Sequence, residues 1–189
     1  MQYQDTAQKI AGMRREIAKL RKEMKAARAK VEPVEFADYT MQRSGGGSVK
    51  LSELFGGKDN LIVIHNMGTT CAHCTLWADG FNGVYGHLAD KAAFVVSTPD
   101  TPQTQKKFAD SRGWRFPMVS TKGTSFAKDC GYEEGGGPMP GISIFTHKNG
   151  KIIRVADEPF SPGDDFCIVW PIFDLLPGGA GNWDPKYKY

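Results

Sequence analysis

The segment Cys71-Ala72-His73-Cys74 has the residue types and spacing to do chemistry. It follows the apolar run 61–64 and precedes a helical pattern, so the first cysteine is expected at a helix N-terminus. The helix dipole and a protonated His73 both favour a thiolate there. Two cysteines three positions apart can close a small disulfide ring or stay open as a dithiol. Taken alone, the pair indicates either thiol redox chemistry or half of a metal site.

We expect Cys71 to attack and Cys74 to resolve. Unpaired backbone N–H groups at a helix start stabilise negative sulfur, and they lower the pKa of Cys71 below the ~8.5 of a free cysteine. The thiolate would form a mixed disulfide with a partner, and the more buried Cys74, one turn on, would then attack Cys71. His73 would stabilise the dithiol and make the pair more oxidising. The alternative for His73 is an exposed loop histidine with little effect.

The rest of the chain alternates strand and helix patterns. This order predicts an α/β sandwich with a mixed sheet flanked by helices, and it places Cys71 at the carboxyl end of a central strand, where ligands gather. Asn149-Gly150 between apolar runs is a strong hairpin signal. A short strand and a helical turn are expected over 49–57. The further expected strands are 61–65, 92–98, 116–120, 142–146 and 152–156. The expected helices are 71–88 with a kink or break at Gly80, 101–113, 125–130 and 164–176, the last kinked or divided by Pro171.

Three parts are expected along the chain: an N-terminal extension helix within 1–33, a central domain over 34–177 and a polar-aromatic tail over 178–189. The glycine-rich segment 44–48 is expected to be a flexible turn or linker. In the first part, apolar residues alternate spacings of three and four, which is an a/d heptad stripe. Its partner is either a second copy of the chain or its own domain. The stripe consists of Ile10, Met13, Ile17, Leu20, Met24, Ala27 and Val31.

The charge is uneven along the chain. The net charge is +3, yet residues 1–33 hold nine Lys/Arg and four Asp/Glu, so the body is slightly acidic. Because the two signs mix along the helix, a solvated face is favoured and no nucleic-acid partner is expected. No apolar run approaches a membrane span, and no signal peptide is evident, so we expect a cytoplasmic protein without a membrane partner. The isolated Cys130 and Cys167 are expected as small buried hydrophobic residues.

Several stretches together resemble the thioredoxin superfamily. A buried strand, a Cys-x-x-Cys that opens a helix and Pro140 just before the hairpin match that superfamily, and Pro140 occupies the place of its cis-proline. The resemblance implies a thioredoxin-like sandwich, a cis bond that sets the Pro140 ring over the sulfurs, and a Met139 backbone presented to an extended substrate. Thioredoxin has tryptophan where this chain has Thr70. More narrowly, the chain is similar to an uncharacterised bacterial thioredoxin-like family labelled predicted dithiol-disulfide oxidoreductase, in the stretches 71–74, 77–83, 113–117 and 140–145.

Other chemistries are compatible with parts of the pattern. A zinc site would need His65 or His87 beside the cysteine pair. A peroxiredoxin-like thiol peroxidase would have Pro-x-x-x-Thr-x-x-Cys, but Gly68 stands where the threonine before Cys71 belongs. A non-catalytic adaptor would keep the fold and use the leading helix for assembly. Asp79 is a candidate proton acceptor for Cys74, although a helix-surface aspartate is the favoured interpretation because it lies off the same face.

The sequence therefore predicts a thiol-disulfide oxidoreductase that uses Cys71, Cys74, His73 and Pro140. The expected partners are protein or small-molecule disulfides and thiols, with a homodimer through the leading helix as a further hypothesis. No metal or organic cofactor is required, since another dithiol protein or a small thiol would supply the electrons. The pattern leaves open whether the protein reduces, oxidises or isomerises disulfides.

Overall fold

The computed structural model describes residues 3–189, which form two compact units divided between Pro33 and Val34. The first contains helix α1 (Tyr3–Arg28), in which no residue is buried. Asp5 lies in its first turn and Arg28 in its last, so both charges complement the helix dipole. The large apolar side chains of the heptad stripe are all exposed to solvent.

The second unit is built on an eight-stranded mixed sheet with the order β1-β10-β9-β4-β5-β6-β2-β3. The central strand β4 pairs parallel with β5 and antiparallel with β9. The remaining two strands, β7 and β8, form a separate ribbon. The strands are β1 (Val34–Phe36), β2 (Thr40–Arg43), β3 (Ser48–Lys50), β4 (Asn60–His65), β5 (Ala93–Thr98), β6 (Met118–Ser120), β7 (Glu133–Glu134), β8 (Gly137–Pro138), β9 (Gly141–Lys148) and β10 (Lys151–Pro159).

Four helices and one 3₁₀ turn complete this unit. Thr101 caps α3 by accepting the Thr104 N–H, and Gly113 ends it in the left-handed conformation, so the helix has the ends that the sequence predicts. Asn149 and Gly150 both have positive φ, which the tight β9–β10 hairpin turn requires. The elements are the 3₁₀ turn (Ser52–Phe55), α2 (Ala72–Lys91), α3 (Pro102–Arg112), α4 (Phe126–Asp129) and α5 (Val169–Phe173).

Apolar clusters cover both faces of the central sheet. Leu61 and Val63 of β4 belong to one cluster, and Ile64 belongs to the other, in which Trp77 and Phe81 of α2 also pack. Because side chains alternate along a strand, the continuous apolar run of β4 serves both layers. This double burial fixes β4 in the middle of the sheet and holds α2 directly against it.

Two helix predictions need correction. Helix α2 runs without interruption through Gly80 to Lys91, because burying its apolar face outweighs the cost of about 1 kcal/mol that a glycine adds to a helix interior. The final helix is only α5, five residues long, because Pro171 lacks an N–H and the following chain returns through turns. The rest of 164–176 is irregular.

The sheet is also wider than the sequence pattern indicates. Segment 44–48 contains the turn of a hairpin in which Met41 of β2 pairs with Val49 of β3, so of the two expectations for it, turn or linker, the turn is confirmed. Strand β1 adds a further edge beside β10. The short strand and helical turn expected within 49–57 are confirmed as β3 and the 3₁₀ turn, whereas β1 and β2, of three and four residues, are too short for their periodicity to be recognised.

None of the helices within residues 3–189 has the length and apolar character needed to cross a membrane.

Candidate functional site

The dithiol lies where β4 gives way to α2. Strand β4 ends at His65, and a five-residue loop leads to Cys71, which is the N-cap of α2. The Cys71 Sγ atom accepts a hydrogen bond from the Cys74 backbone N–H at 3.0 Å. A cap acceptor satisfies one of the free N–H groups of the first turn, so the sulfur sits where negative charge is stabilised. Both cysteines are free thiols.

The two thiols have opposite electrostatics. The Cys74 side chain, hydrogen-bonded to Cys71, is the main cause that lowers the pKa of Cys71 to about 7; burial opposes this shift, and the backbone N–H groups of Cys74 and His73 assist it. The pKa of Cys74 is strongly raised, by the same hydrogen bond and by burial. Cys74 is only 2% exposed, whereas Cys71 is half-buried. The pair is therefore arranged as an outer thiolate supported by an inner thiol.

Asn66 and Asp100 hold the loop before the dithiol, and the sequence analysis missed both. The Asn66 side chain donates to the Cys74 carbonyl at 3.2 Å and accepts the Gly68 N–H at 2.8 Å. The Asp100 carboxylate accepts the Thr69 N–H at 2.9 Å. A Cβ atom at Gly68, where φ is +102°, would come within 2.8 Å of Asp100. Glycine is therefore required at this turn.

The His73 ring points to the C-terminal part of the chain. It stacks on Trp170 with a centroid separation of 6.2 Å, and its Nε2 lies 3.8 Å from the Asp184 carboxylate. The backbone N–H of His73 is one of the groups that lower the pKa of the Cys71 thiol, whereas the His73 ring is not among them. His73 therefore connects the Cys-x-x-Cys segment to Trp170 and Asp184, which lie far along the chain.

Pro140 lies at the same edge of the sheet, but its peptide bond differs from the prediction. Every peptide bond in residues 3–189 is trans, Met139–Pro140 included. The chain enters β9 in an extended form, with Gly141 paired to His65, and the Pro140 carbonyl accepts the Phe160 N–H at 3.0 Å. This ladder accommodates the trans isomer, which X-Pro bonds ordinarily adopt. The Met139 N–H already donates to the Tyr132 carbonyl at 2.9 Å, so it is not free for an extended substrate.

His65 is a buried structural residue. Its Nε2 is 2.9 Å from the Ser143 hydroxyl, and its ring stacks on Tyr132 with centroids 4.1 Å apart. Burial, helped by the charge of Arg154, lowers the pKa of His65 to about 3, so the ring is neutral. Tyr132 in turn covers Gly141, where a Cβ atom would lie 2.0 Å from the phenol ring. These contacts engage the Nε2 atom and one ring face of His65, which is one of the two histidines, with His87, that the zinc hypothesis names.

Asp79 and the other cysteines lie outside the dithiol chemistry. Asp79 forms an ion pair with Arg112 and accepts the Trp114 indole N–H at 2.8 Å, so it links α2 to α3. Cys130 is buried, and that burial raises the pKa of its thiol to about 12. Cys167 is also buried, as expected. Within residues 3–189, no three His, Cys, Asp or Glu side chains are grouped so that they could hold a metal ion.

The C-terminal tail approaches the dithiol, which the sequence did not reveal. The pKa of Tyr187 is raised, first by burial and then by the charges of Cys71 and Cys74. Its carbonyl accepts from Arg112 at 2.6 Å. Trp183 packs edge-on against Trp170, with centroids 5.9 Å apart. Only the polar-aromatic composition of the tail signals such a role, and composition does not specify a contact.

Solved structures similar to this one include peroxiredoxins. Peroxidoxin BcpB from Mycobacterium tuberculosis is 24% identical, with a TM-score of 0.55 over 68% of this chain and 86% of that one. Enterococcus faecalis AhpC is 17% identical, with a TM-score of 0.56 over 70% and 82%. The Xanthomonas campestris bacterioferritin comigratory protein is 15% identical, with a TM-score of 0.56 over 64% and 80%. At these identities the similarity establishes the fold, and the predicted thioredoxin-like sandwich is confirmed.

None of the curated proteins matches this chain in sequence. The family described as "Bacterial protein of unknown function (DUF899)" matches residues 1–188, which is nearly the whole chain. The protein, with its thioredoxin-like fold and a Cys-x-x-Cys at the start of α2, therefore belongs to this bacterial family.

Proposed function

We propose that this protein is a thiol-disulfide oxidoreductase, with Cys71 as the attacking thiol and Cys74 as the resolving thiol. The observation that carries the proposal is the pair of unequal thiols at the N-terminus of α2. Cys71 is half-buried with a pKa of about 7, so about half of its side chains are thiolate at pH 7, against a few per cent for a free cysteine. The similarity of the fold to peroxiredoxins also supports a function in thiol chemistry.

The first step forms a mixed disulfide. The Cys71 thiolate attacks one sulfur of a substrate disulfide, a Cys71–sulfur bond forms, and the substrate S–S bond breaks. The departing thiolate takes a proton from solvent. The helix N-terminus and the hydrogen bond from Cys74 keep Cys71 charged before the attack.

The second step releases the substrate. Once Cys71 is bonded to another sulfur, it carries no charge, and the main cause that raises the pKa of Cys74 is removed. Cys74 then gives its proton to solvent or to the leaving thiolate and attacks Cys71. The protein ends as the Cys71–Cys74 disulfide, and the substrate has gained two electrons as two thiols. The reverse sequence oxidises a dithiol.

The electron donor or acceptor in this scheme is a dithiol protein or a small thiol. All electrons pass between sulfurs, so the proposed reaction uses neither a metal nor an organic cofactor. We further propose a cytoplasmic location, because the thiols of Cys130 and Cys167 are free and the reducing environment of the cytoplasm maintains free thiols.

A redox titration tests this function directly. The full-length protein is equilibrated with mixtures of a small thiol and its disulfide, quenched with acid and analysed by mass spectrometry. We expect one two-electron transition between the dithiol and the Cys71–Cys74 disulfide. Stable mixed adducts on each cysteine, with no intramolecular disulfide, would contradict the proposal. The Cys130→Ser variant is the matched control and should titrate like the original protein.

A thiol peroxidase is the second candidate, favoured by the peroxiredoxin-like fold and by the Cys71 thiolate. In that reaction Cys71 would attack a peroxide oxygen, become a sulfenic acid and release water or an alcohol, and Cys74 would then expel water to form the disulfide. The absence of the Thr-x-x-Cys pattern before Cys71 places dithiol exchange ahead. Peroxide consumption much faster than that of a small-molecule dithiol would reverse this order.

We also propose that α1 pairs with α1 of a second copy in a parallel coiled coil. Residues at the a positions include Ile10 and Ile17, with Leu20 at d, a combination that favours two parallel strands. All three side chains are about half exposed on α1. A non-catalytic adaptor would use the same helix, but it would not need the unequal thiols of the dithiol site.

Charge complementarity selects the parallel arrangement. In that arrangement Glu16 at g faces Arg21 of the second copy at e, and Glu23 faces Arg28 in the same way. Lys9 opposite Arg14 is the one like-charged pair. An antiparallel dimer would instead set arginine beside arginine along the e positions, so the parallel dimer is favoured.

A further inference from the structure

A cavity of about 360 Å³ lies beside the dithiol, formed by His73 from the Cys-x-x-Cys segment and by the C-terminal part of the chain. We propose that this cavity binds a cationic group of the disulfide substrate, so that the protein prefers disulfides carrying an ammonium or a similar cation near the sulfur. Because this rests on the proposed thiol exchange, the experiment below separates the two.

Aromatic rings form the walls of the cavity. Trp170 and Trp183 stand nearly perpendicular, with an interplanar angle of 75° and centroids 5.9 Å apart, and His73 stacks on Trp170. Phe173 supports Trp183 edge-on at 4.9 Å. Both tryptophans line the cavity, and the faces of tryptophan rings attract ammonium and guanidinium groups.

The rim of the cavity is acidic. Asp174 at the end of α5 and Asp184 in the tail both line it, and no Lys or Arg is found among its lining residues, all of which belong to the described part of the chain. Lys186, two positions after Asp184, lies outside the lining. A carboxylate pair with aromatic walls complements a cation and disfavours an anion.

The position of the cavity connects it to catalysis. His73 is part of the cavity wall, and it lies between Cys71 and Cys74 in the sequence, in the first turn of α2. The tail that supplies Trp183 and Asp184 continues to Tyr187, whose pKa is raised in part by the charges of Cys71 and Cys74. Because His73 belongs to both the cavity wall and the Cys-x-x-Cys segment, in the proposed complex the cation lies in the cavity and the disulfide of the same substrate lies against Cys71. Cationic small disulfides and disulfides flanked by basic peptide residues both fit this description.

With a cationic disulfide, the bonds that form and break are the same as in the proposed thiol exchange. The Cys71–sulfur bond forms as the substrate S–S bond breaks, the leaving thiolate takes a solvent proton, and the ammonium group is unchanged. Asp174, Asp184 and Trp183 act as binding residues for the cation, whereas the sulfurs carry the electrons.

Three small disulfides of graded charge test the proposal. Reduced full-length protein is mixed with cystamine, bis(2-hydroxyethyl) disulfide or 3,3′-dithiodipropionate, and the loss of the dithiol form is followed by acid quench and mass spectrometry. Each rate constant is divided by that of a small dithiol with the same disulfide, which removes differences in leaving-group pKa. We expect cystamine to react about tenfold faster than the neutral disulfide, and the dianion to react slowest.

Variants identify the cavity as the source of the preference. Asp184 is 85% exposed at its side chain, so Asp184→Asn should leave the fold intact. It should lower the ratio of the cystamine rate to the neutral-disulfide rate by about two- to fivefold, while Asp174→Asn/Asp184→Asn should bring that ratio close to one. Glu134→Gln, outside the cavity, makes the same change in net charge and should alter nothing.

The outcomes separate the two proposals. Equal normalised rates for the three disulfides, or a loss in the aspartate variants that is the same for cystamine and for the neutral compound, would overturn the cationic subsite and leave thiol exchange standing. Failure of all three disulfides to oxidise the dithiol would overturn the proposed function itself.

Discussion

At the scale of the residue, reactivity is decided by how two sulfurs share one helix N-terminus. Cys71 caps α2 and accepts the Cys74 N–H, while the buried Cys74 thiol stabilises the Cys71 thiolate. In the proposed reaction the deprotonated Cys71 is therefore the nucleophile, and the protonated Cys74 is the resolving thiol. Burial of Cys74 prevents it from competing for outside reagents until Cys71 has reacted.

The pH dependence of alkylation follows from the thiol pKa values. The pKa of Cys71 is lowered to about 7, so its reaction with iodoacetamide should fall about tenfold per pH unit below 7 and level off above 8. Cys74, whose pKa is raised, should stay unmodified across this range. Mass spectrometry of quenched samples measures both sites, with Cys71→Ser as the control. A midpoint near that of free cysteine would show that neither the Cys74 side chain nor the N-terminus of α2 stabilises the thiolate.

Gly141 should be intolerant of any side chain. A Cβ atom there would lie 2.0 Å from the Tyr132 ring and 2.8 Å from the Glu158 carbonyl. Because Tyr132 is stacked on His65, Gly141→Ala must displace that stack or bend β9 away from β10, and we expect a loss of about 1–3 kcal/mol in the free energy of unfolding. Urea denaturation followed by tryptophan fluorescence measures it. An unchanged midpoint would mean that Tyr132 moves aside freely.

At the scale of the element, α2 carries a glycine that its structure does not need. Gly80 is exposed, and a Cβ atom there would meet nothing within 4 Å. Gly80→Ala should therefore raise the free energy of unfolding by about 0.5–1 kcal/mol by reducing the entropy of the unfolded chain. Urea denaturation measures the change, in contrast to the loss at Gly141. Destabilisation would indicate that α2 bends at Gly80, as the sequence alone suggested.

The leading helix allows a charge-swap test of self-association. Glu16→Arg/Glu23→Arg makes all the facing e and g positions of these heptads basic, and Arg21→Glu/Arg28→Glu makes them acidic. Each variant alone should dimerise about tenfold or more weakly than the original chain, and a mixture of the two should dimerise again. Sedimentation equilibrium of the full-length protein at micromolar concentration measures this. A monomeric original chain, or dimerisation equally strong in all samples, would contradict the parallel coiled coil.

At the scale of the whole molecule, the site is assembled from parts of the chain that differ in how well they can be predicted. The dithiol, the strand before it and the hairpin around Asn149 follow from local patterns, because periodicity and turn residues act over a few positions. The approach of Trp183 and Asp184 to His73 spans more than a hundred residues, and no local pattern encodes it. The isomer of the Met139–Pro140 bond likewise depends on tertiary packing, here the contacts of β9 with β10.

The central claim is that Cys71 attacks and Cys74 resolves, and one trapping measurement tests it most directly. Reduced Cys74→Ser protein is exposed to excess bis(2-hydroxyethyl) disulfide and analysed by intact mass and peptide mapping, beside the original chain and Cys71→Ser. The account predicts a stable mixed disulfide on Cys71 in Cys74→Ser, an intramolecular Cys71–Cys74 disulfide in the original chain, and no reaction at this site in Cys71→Ser. Attachment to Cys74 in Cys71→Ser at the original rate, or no adduct in Cys74→Ser, would contradict it.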